Sequence, residues 1–407
     1  MSVNPRRLVI RALARMERTA GASSQQALRH ILDGPDARDL DPRDRGFVTE
    51  CFYGVLRWRL RLDTVIGALA KRGVPSDPEL ANLLRLGAFQ LMVLDRVPSR
   101  AAIHSTVQMA KKMRGEAIGR FTNGLLRAID REAPAAKTLA ERWAHPQWMV
   151  DRFFDELGNE EAVEARLRAN MTPPPLTLRL HPSAPEEARE AVKNTPKNLT
   201  VVAPGYALVK HGIQNNWWLP QDEASARVVR ALDPQPGERI LDLCAGRGVK
   251  STQIAVAVGS AGSLVCIDSS AARLASGSRL VRRWAPNCSL STIAADASRE
   301  LPLDPTLRFD RVLIDAPCSG LGVIRRRPEI LWRRSEDDVG ANAALQRRIL
   351  AEAQRWLKPG GTLVYSVCTL TPEETTEVTR DLALSDSSLS IPERDGCDGF
   401  YTASSVL

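Results

Sequence analysis

No C-x-x-C pair occurs in this 407-residue chain, and it holds only five histidines. Its seven cysteines, at 51, 244, 266, 288, 318, 368 and 397, form an odd set without the rhythm of metal ligands. Zinc is therefore disfavoured and no metal is expected. Reduced thiols in a cytoplasmic protein are the expectation, some buried as small hydrophobes and one or two open to chemistry. No stretch approaches the roughly 18–20 apolar residues that cross a bilayer. The N-terminus leads into an amphipathic segment with Arg11, Arg15 and Arg18, not an apolar signal core. These absences speak against a secreted or membrane protein. Internal repeats and low-complexity tracts are also missing.

What is present points to several packed domains. The chain is 43% hydrophobic and 26% charged, enough for a sizeable core and against wholesale disorder. At roughly 150 residues per domain, two or three domains are expected. The net charge of +8 is uneven: residues 1–140 hold 24 Lys+Arg against 14 Asp+Glu, a net +10, which leaves −2 for residues 141–407. A basic N-terminal domain on a near-neutral remainder suggests a handle for a polyanion, although an Arg-rich solvated helical surface would look the same.

Periodicity divides the chain into three parts. Residues 1–140 read as an all-helical domain: Val9, Leu13 and Met16, then Val55, Leu62 and Leu69, recur at helical spacing, and helices follow over Leu83–Leu94, Ala101–Lys112 and Gly119–Ile129. Residues 141–215 read as a small α+β module. A helix opened by His145-Pro146-Gln147-Trp148 is expected to run to about Leu157 and another to cover Glu161–Asn170, Pro173-Pro174-Pro175 breaks the chain, and a strand follows at Thr177–Leu180. A helix is then expected at Ala184–Lys193, with strands at Leu199–Val202 and Ala207–Lys210. Residues 216–407 alternate β and α. Strands at Arg239–Leu243, Ser263–Asp268, Ser289–Ala294, Asp310–Ile314 and Thr362–Val367 are separated by helices at Lys250–Val258, Ala271–Trp284 and Asn342–Trp356. That order predicts a parallel, Rossmann-like sheet with crossover helices.

The first of these strands runs into Cys244-Ala245-Gly246-Arg247-Gly248-Val249-Lys250. A glycine-bearing turn between first strand and helix lets a ligand approach the backbone and meet helix N–H groups. The dinucleotide fingerprint G-x-G-x-x-G fails at Ser251, which disfavours a nicotinamide dehydrogenase. The looser Asp-x-x-x-Gly-x-Gly pattern of S-adenosylmethionine-binding turns is met. Asp268 ends the second strand about 20 residues on, where a carboxylate accepts from ribose hydroxyls, and Asp296 follows the third, placed to meet an adenine amino group. Each aspartate taken alone could be a helix cap; in order at successive strand ends, they favour a nucleoside cofactor.

Two cysteines follow the fourth and fifth strands, in Asp315-Ala316-Pro317-Cys318-Ser319-Gly320 and in Ser366-Val367-Cys368-Thr369-Leu370-Thr371-Pro372-Glu373-Glu374. A lone strand-end cysteine is usually packing, but two at neighbouring ligand-bearing ends suggest chemistry. Just beyond Cys318, Arg325-Arg326-Arg327 and Trp332-Arg333-Arg334 place five arginines and an aromatic within ten residues. Such a run is usually a solvated loop; beside a base-modifying site it suggests phosphate contact.

These motifs resemble the RNA cytosine-5 methyltransferases of the Nop2/Sun type, in the branch with a NusB-like N-terminal domain. The likeness extends over nearly the whole chain. It includes Leu40-Asp41-Pro42-Arg43-Asp44-Arg45-Gly46-Phe47, Tyr53-Gly54-Val55-Leu56-Arg57, Leu84-Arg85-Leu86-Gly87-Ala88-Phe89-Gln90, His145-Pro146, Pro174-Pro175-Leu176-Thr177-Leu178-Arg179 and Gln221-Asp222-Glu223-Ala224-Ser225. The resemblance implies a multidomain fold: an all-α NusB-like domain, a small α+β linker module and a Rossmann-like S-adenosylmethionine-dependent methyltransferase domain. It implies that Cys244 to Lys250 cradle the cofactor's methionine part, that Asp268, with Arg273 in the cofactor set, holds the ribose, and that Asp296 holds the adenine. Asp315 would lie between cofactor and base, Cys368 would be the nucleophile, and Cys318 would help the product leave. The chain departs from the family pattern at Arg247 and Val249 in the turn and at Thr375 after the two glutamates.

The chemistry needs such residues. C5 of cytosine is too weak a nucleophile to take a methyl group unaided; a thiolate adding at C6 pushes electron density onto C5, and covalent catalysis splits one hard step into easier ones. The thiolate form needs help, for which Lys250 is a candidate. The residues alone leave open which cysteine attacks and whether Asp315 reads the cytosine edge or caps a turn; the resemblance favours Cys368 and base reading. The expected activity is methylation of RNA, most naturally small-subunit ribosomal RNA, by a monomer. The competing reading is a non-catalytic RNA-binding or assembly factor that kept the fold, motivated by the altered turn and the basic helical domain.

Overall fold

The structure, a computed structural model, describes residues 4–19, 21, 23–190, 199–201 and 206–407, in two compact units. The first comprises residues 1–172 together with Ile324–Arg333; the second comprises residues 173–323 and 334–407. The first division therefore falls at Thr172, later than residue 140.

The first unit is helical, and its helix starts follow from capping chemistry. Asp41 accepts from the Asp44 N–H at 2.8 Å with Pro42 at the first helical position, and this opens the long helix Pro42–Leu69. Ser23 and Gln26 form a reciprocal capping box before Ser24–Leu32. Helices Pro5–Arg18, Pro78–Met92, Ser99–Arg114 and Glu116–Arg131 complete a core around Leu8, Phe52, Leu84, Phe89 and Leu126. Gly54 has no room for a side chain, since a Cβ there would lie 2.0 Å from the Phe89 ring. Arg85 is buried but fully paired: it grips Asp63 with Nε and Nη2 at 2.7 and 2.9 Å and reaches Glu17 at 3.2 Å. Helices Gln147–Leu157 and Glu160–Met171 also belong to this unit.

His145, buried between these last helices, is a neutral ring. Its Nδ1–H donates to the Trp143 carbonyl at 2.5 Å, and its Nε2 accepts from Asn170 at 3.2 Å. Burial pushes its pKa down to about 4. The unfolded ring binds a proton near pH 6.5 and the folded one does not, so this contribution is complete above pH 6.5 and is lost as pH falls toward 4. The fall in urea midpoint between pH 7.5 and pH 5 is expected to be smaller in His145→Gln than in wild type; an equal fall would assign the acid sensitivity elsewhere.

The segment Ile324–Arg333 threads into the helical unit's packing. The buried Glu329 accepts from the Ser24 N–H at 3.1 Å, capping that helix with a charge from 305 residues away. Arg57 donates to the Arg325 carbonyl at 2.8 Å, Arg333 donates to the Met16 carbonyl at 2.5 Å, and Arg59 stacks 4.5 Å above the Trp332 ring.

The second unit holds two sheets. The smaller pairs β1 (Thr177–Leu180) antiparallel to both β2 (Leu199–Val201) and β3 (Trp218–Pro220). The expected strand at Ala207–Lys210 is instead part of helix Tyr206–Gln214, where Leu208, Val209 and Ile213 pack against Trp218. The helix expected at Ala184–Lys193 is seen over Glu186–Glu190; its later part, like Val202, lies outside the described residues.

The larger sheet has seven strands: β4 (Arg239–Asp242), β5 (Ser263–Asp268), β6 (Ser289–Ala294), β7 (Phe309–Asp315), β8 (Leu357–Val367), β9 (Leu384–Ser390) and β10 (Phe400–Val406). Their order is β6-β5-β4-β7-β8-β10-β9, with β4 to β8 parallel and β10 antiparallel to both neighbours. The chain steps outward from β4 to β6 and then returns to the other side of β4 as β7. This is a topological switch point, and it opens a crevice at the strands' carboxyl ends. Among the described residues, no helix is long and apolar enough to cross a membrane.

Candidate active site

Every candidate cofactor residue lies at the carboxyl ends of β4 to β7 or in the turn and helices beside them. Between β4 and helix Val249–Val258 the backbone turns through Gly246 (φ +56°) and Gly248 (φ +79°), conformations that disfavour side chains. At Gly248 space is also short: a Cβ would stand 2.9 Å from the Cα of Gly277, in helix Ala271–Trp284. Both positions thus require glycine on backbone grounds, while Arg247 between them is exposed.

Asp268 closes β5 and organises the turn. Its Oδ2 accepts from the Gly246 N–H at 2.9 Å; its Oδ1 accepts from Ser270 N–H at 2.8 Å and Arg273 Nε at 3.0 Å. Asp296, past β6, is half exposed and accepts from the Ser298 N–H and hydroxyl at 2.9 and 2.8 Å; these bonds hold its carboxyl below the usual range. Asp242 and Asp315 end β4 and β7. Asp242 is buried, accepts from Ser251 Oγ at 2.7 Å, and is pushed by burial up to about 7. The Cys244 thiol is held well above its ordinary pKa, first by burial and then by Asp242, Asp315 and Asp268 in that order. The carboxyl groups of Asp242, Asp315 and Asp268 therefore converge around this turn, an acceptor set that suits a cationic cofactor bearing a ribose diol. Asp268→Ala is expected to weaken S-adenosylmethionine binding by roughly 10- to 100-fold, the worth of charge-assisted hydrogen bonds. For Asp296→Ala, whose carboxylate is about half exposed to solvent, the loss should stay under about tenfold. Calorimetry tests both; unchanged affinity in Asp268→Ala would leave that residue only the turn to hold.

Beside this crevice lie the two thiols. Cys318 and Cys368, neither in a disulfide, bring their Sγ atoms to 3.2 Å. The adjacent strands β7 and β8 deliver them, with Asp315 opposite Ser366 in the register and the Gly322 N–H donating to the Cys368 carbonyl at 3.0 Å. The Cys318 thiol is pushed well above its ordinary pKa by its hydrogen bond to Cys368, by burial, and by the charges of Cys368 and Glu374. These causes favour the proton on Cys318, and so Cys318 as the donor within the pair. Lys250 gives its ammonium to Asp315 at 2.7 Å and lies 5.1 Å from the Phe400 ring centroid, so its charge is committed to the carboxylate.

The arginine run is largely consumed within the protein. Arg325 is buried, Arg333 is bonded to Met16, Arg334 pairs with Asp338 at 3.6 Å, and Arg327, its side chain about half exposed, pairs with Glu329 at 3.5 Å. Arg326 is half-buried.

Sequence reasoning missed several residues that shape the site. Arg179, pushed by burial down to about 10 yet still a cation, donates from Nε to Gln221 at 2.6 Å and from Nη2 to the Val249 carbonyl at 3.4 Å and to Thr252 Oγ1. It ties the small sheet to the helix after the glycine turn. Phe400, Gln346 and Glu374 were equally unforeseen. Of the adjacent pair, Glu374 is buried whereas Glu373 is half-buried, a difference set only by tertiary packing.

Sheet order, glycine turn and converging carboxylates define a Rossmann-like methyltransferase that uses S-adenosylmethionine. Residues 229–390 match the family model described as 16S rRNA methyltransferase RsmB/F, and residues 3–131 match the NusB family. The chain is 33% identical over 395 residues to the "Probable ribosomal RNA small subunit methyltransferase B" of Bacillus subtilis (strain 168), covering 92% of this chain and 86% of that protein. It is 32% identical over 398 residues to the ribosomal RNA small subunit methyltransferase B of Cronobacter sakazakii (strain ATCC BAA-894), covering 93% and 90%. The chain belongs to the RsmB/F methyltransferase family and carries a NusB domain at its N-terminal end. A solved structure titled "Crystal Structure of PH0851" has the same fold, with a TM-score of 0.82 at 23% identity over 99% of each chain.

Proposed function

We propose that this protein transfers a methyl group from S-adenosylmethionine to C5 of a cytosine in small-subunit ribosomal RNA, through a covalent bond between Cys368 and C6. The observation that carries the reading is the thiol pair, 3.2 Å apart at neighbouring strand ends with the proton held on Cys318. A thiol that keeps its proton is a donor to its neighbour, and it favours the thiolate on Cys368, the form that attacks. The cofactor, when bound, supplies an electrophilic methyl group. The protein's own residues do the rest. Cys368 Sγ bonds to C6, and the C5–C6 π electrons become available at C5. Asp315, held by Lys250, accepts from the exocyclic amino group and stabilises protonation at N3, which discriminates cytosine from uracil. After methyl transfer a base takes the C5 proton, the electron pair left behind re-forms the C5–C6 double bond, and the sulfur leaves C6 as a thiolate beside Cys318.

The target base must leave its stack to reach such a crevice, so a loop or single-stranded element is the expected substrate. The basic NusB domain, net +10 over residues 1–140, supplies phosphate affinity. Within the arginine run, the exposed Arg327 is the member best placed for phosphate contact. The protein acts as a monomer in this reading. Bisulfite sequencing of small-subunit RNA from cells with and without the protein tests it: one cytosine should resist conversion only when the protein is present. No protected cytosine, with RNA binding retained, would favour the non-catalytic assembly factor.

A further inference from the structure

We infer that Glu374 is a positioning residue that holds Cys318 opposite Cys368. This rests on the covalent-cysteine reading above. Glu374 is fully buried at the end of a short 3₁₀ turn, Pro372–Glu374, six residues past Cys368. A buried carboxylate is costly unless its oxygens are satisfied, and here four donors converge on it. The Ser319 N–H donates to Oε1 at 2.8 Å, Gln346 Nε2 donates to Oε1 at 3.0 Å, Thr371 Oγ1 donates to Oε2 at 3.1 Å, and the Ser319 hydroxyl also donates to Oε2.

These donors frame the reacting sulfurs. Ser319 follows Cys318 directly, and its hydroxyl lies 2.9 Å from that of Thr369, which follows Cys368. On the other side of Cys318, the Pro317 carbonyl accepts from the same Gln346 Nε2 at 2.9 Å. Cys318 is therefore anchored on both flanks to one carboxylate, directly at Ser319 and through Gln346 at Pro317. The carboxylate sits on the chain that carries Cys368. The Tyr365 hydroxyl, on β8, fixes the Glu374 backbone by donating to its carbonyl at 2.7 Å. Without this clamp the two cysteine loops keep only the Gly322–Cys368 and Ser319–Thr369 hydrogen bonds between them, and the 3.2 Å sulfur separation relaxes. Release of product, which needs Cys318 beside the adduct, suffers more than attack by Cys368.

The role makes a demand that a purely structural residue would not. A glutamine at 374 can satisfy the same partners: its oxygen accepts from the Ser319 N–H and Gln346, while its amide donates to the Ser319 and Thr371 hydroxyls, which can reverse direction. Alanine can satisfy none. Glu374→Ala is expected to lower kcat by about 100-fold, the scale of a roughly 1 Å misplacement. A protein–RNA adduct should accumulate on denaturing gels when RNA and S-adenosylmethionine are supplied, with cofactor affinity and KM for RNA within about threefold of wild type. Glu374→Gln should recover kcat to within about fivefold, without excess adduct. Should Glu374→Ala fail to fold, Gln346→Met, which cuts only the Pro317 arm, decides the matter by the same adduct readout. Wild-type adduct levels in the folded variant, or a Gln variant as impaired as the Ala variant, overturn the inference. Cys318→Ala run in parallel separates the two layers. An adduct there but not in the Glu374 or Gln346 variants sinks only the positioning role; none in any of them sinks the covalent reading itself.

Discussion

Cys368→Ala is expected to lose methyl transfer altogether and to form no denaturant-resistant bond with RNA, whereas Cys318→Ala accumulates one. The asymmetry follows from the order of events. Attack precedes methyl transfer, so without the attacking sulfur nothing is joined. Release follows it, so impairing release leaves protein and RNA bonded. The two sulfurs are too close for position alone to separate their roles. What separates them is the proton: the hydrogen bond to Cys368, burial and the charge of Glu374 all favour it on Cys318. Incubating each variant with substrate RNA and S-adenosylmethionine and running a denaturing gel reads the result directly. The reverse pattern would exchange the roles, and full activity in both variants would reduce the thiols to packing.

The next largest effect is expected at Asp315, and there charge and fold separate. Lys250 is about 10% exposed and Asp315 about one-third exposed, so the lysine has more to lose when the pair is broken. Asp315→Ala strands a nearly buried ammonium, at a cost approaching the roughly 3–5 kcal/mol of a broken buried pair. Asp315→Asn keeps an oxygen for Lys250 and should keep the melting temperature close to wild type. Yet an amide cannot stabilise a proton at N3, and kcat should fall by about 10²- to 10⁴-fold, the usual worth of a positioned acid or base. Thermal melts beside single-turnover methylation check the two halves. An active Asp315→Asn protein would return this residue to turn capping.

The parallel strands were legible because buried strands of this kind are short apolar runs between turn residues, as in Leu264–Ile267 and Val312–Ile314. The glycine turn and the two cysteines were legible because their chemistry is local to a few residues. Elsewhere the signal was ambiguous or absent. Ala207–Lys210 is too short an apolar run for periodicity to tell helix from strand, and packing on Trp218 makes it helix. The last strands, β9 and β10, are serine-rich, and all of β9 but its final residue is exposed at a sheet edge, so no alternation announced them. Glu374 and Arg179 owe their roles to partners distant in sequence, which no spacing rule reaches. The arginine run misled for the same reason: Arg325 looks like solvated charge and is buried by the helical unit of which it is part.

That same segment bears on how the chain is made. Most of the helical unit is made before the second unit, but residues Ile324–Arg333 are part of it, and Glu329 caps its helix Ser24–Leu32. At roughly 5–20 residues per second, the 161 residues between Thr172 and Arg333 take on the order of 10–30 s to synthesise. Until then the nascent NusB domain waits with the Ser24 N–H uncapped and the Met16 carbonyl without its arginine. Its birth is therefore not vectorial: the helical domain is finished only once Arg333 has been made, by a piece of chain that follows directly on the Cys318 loop.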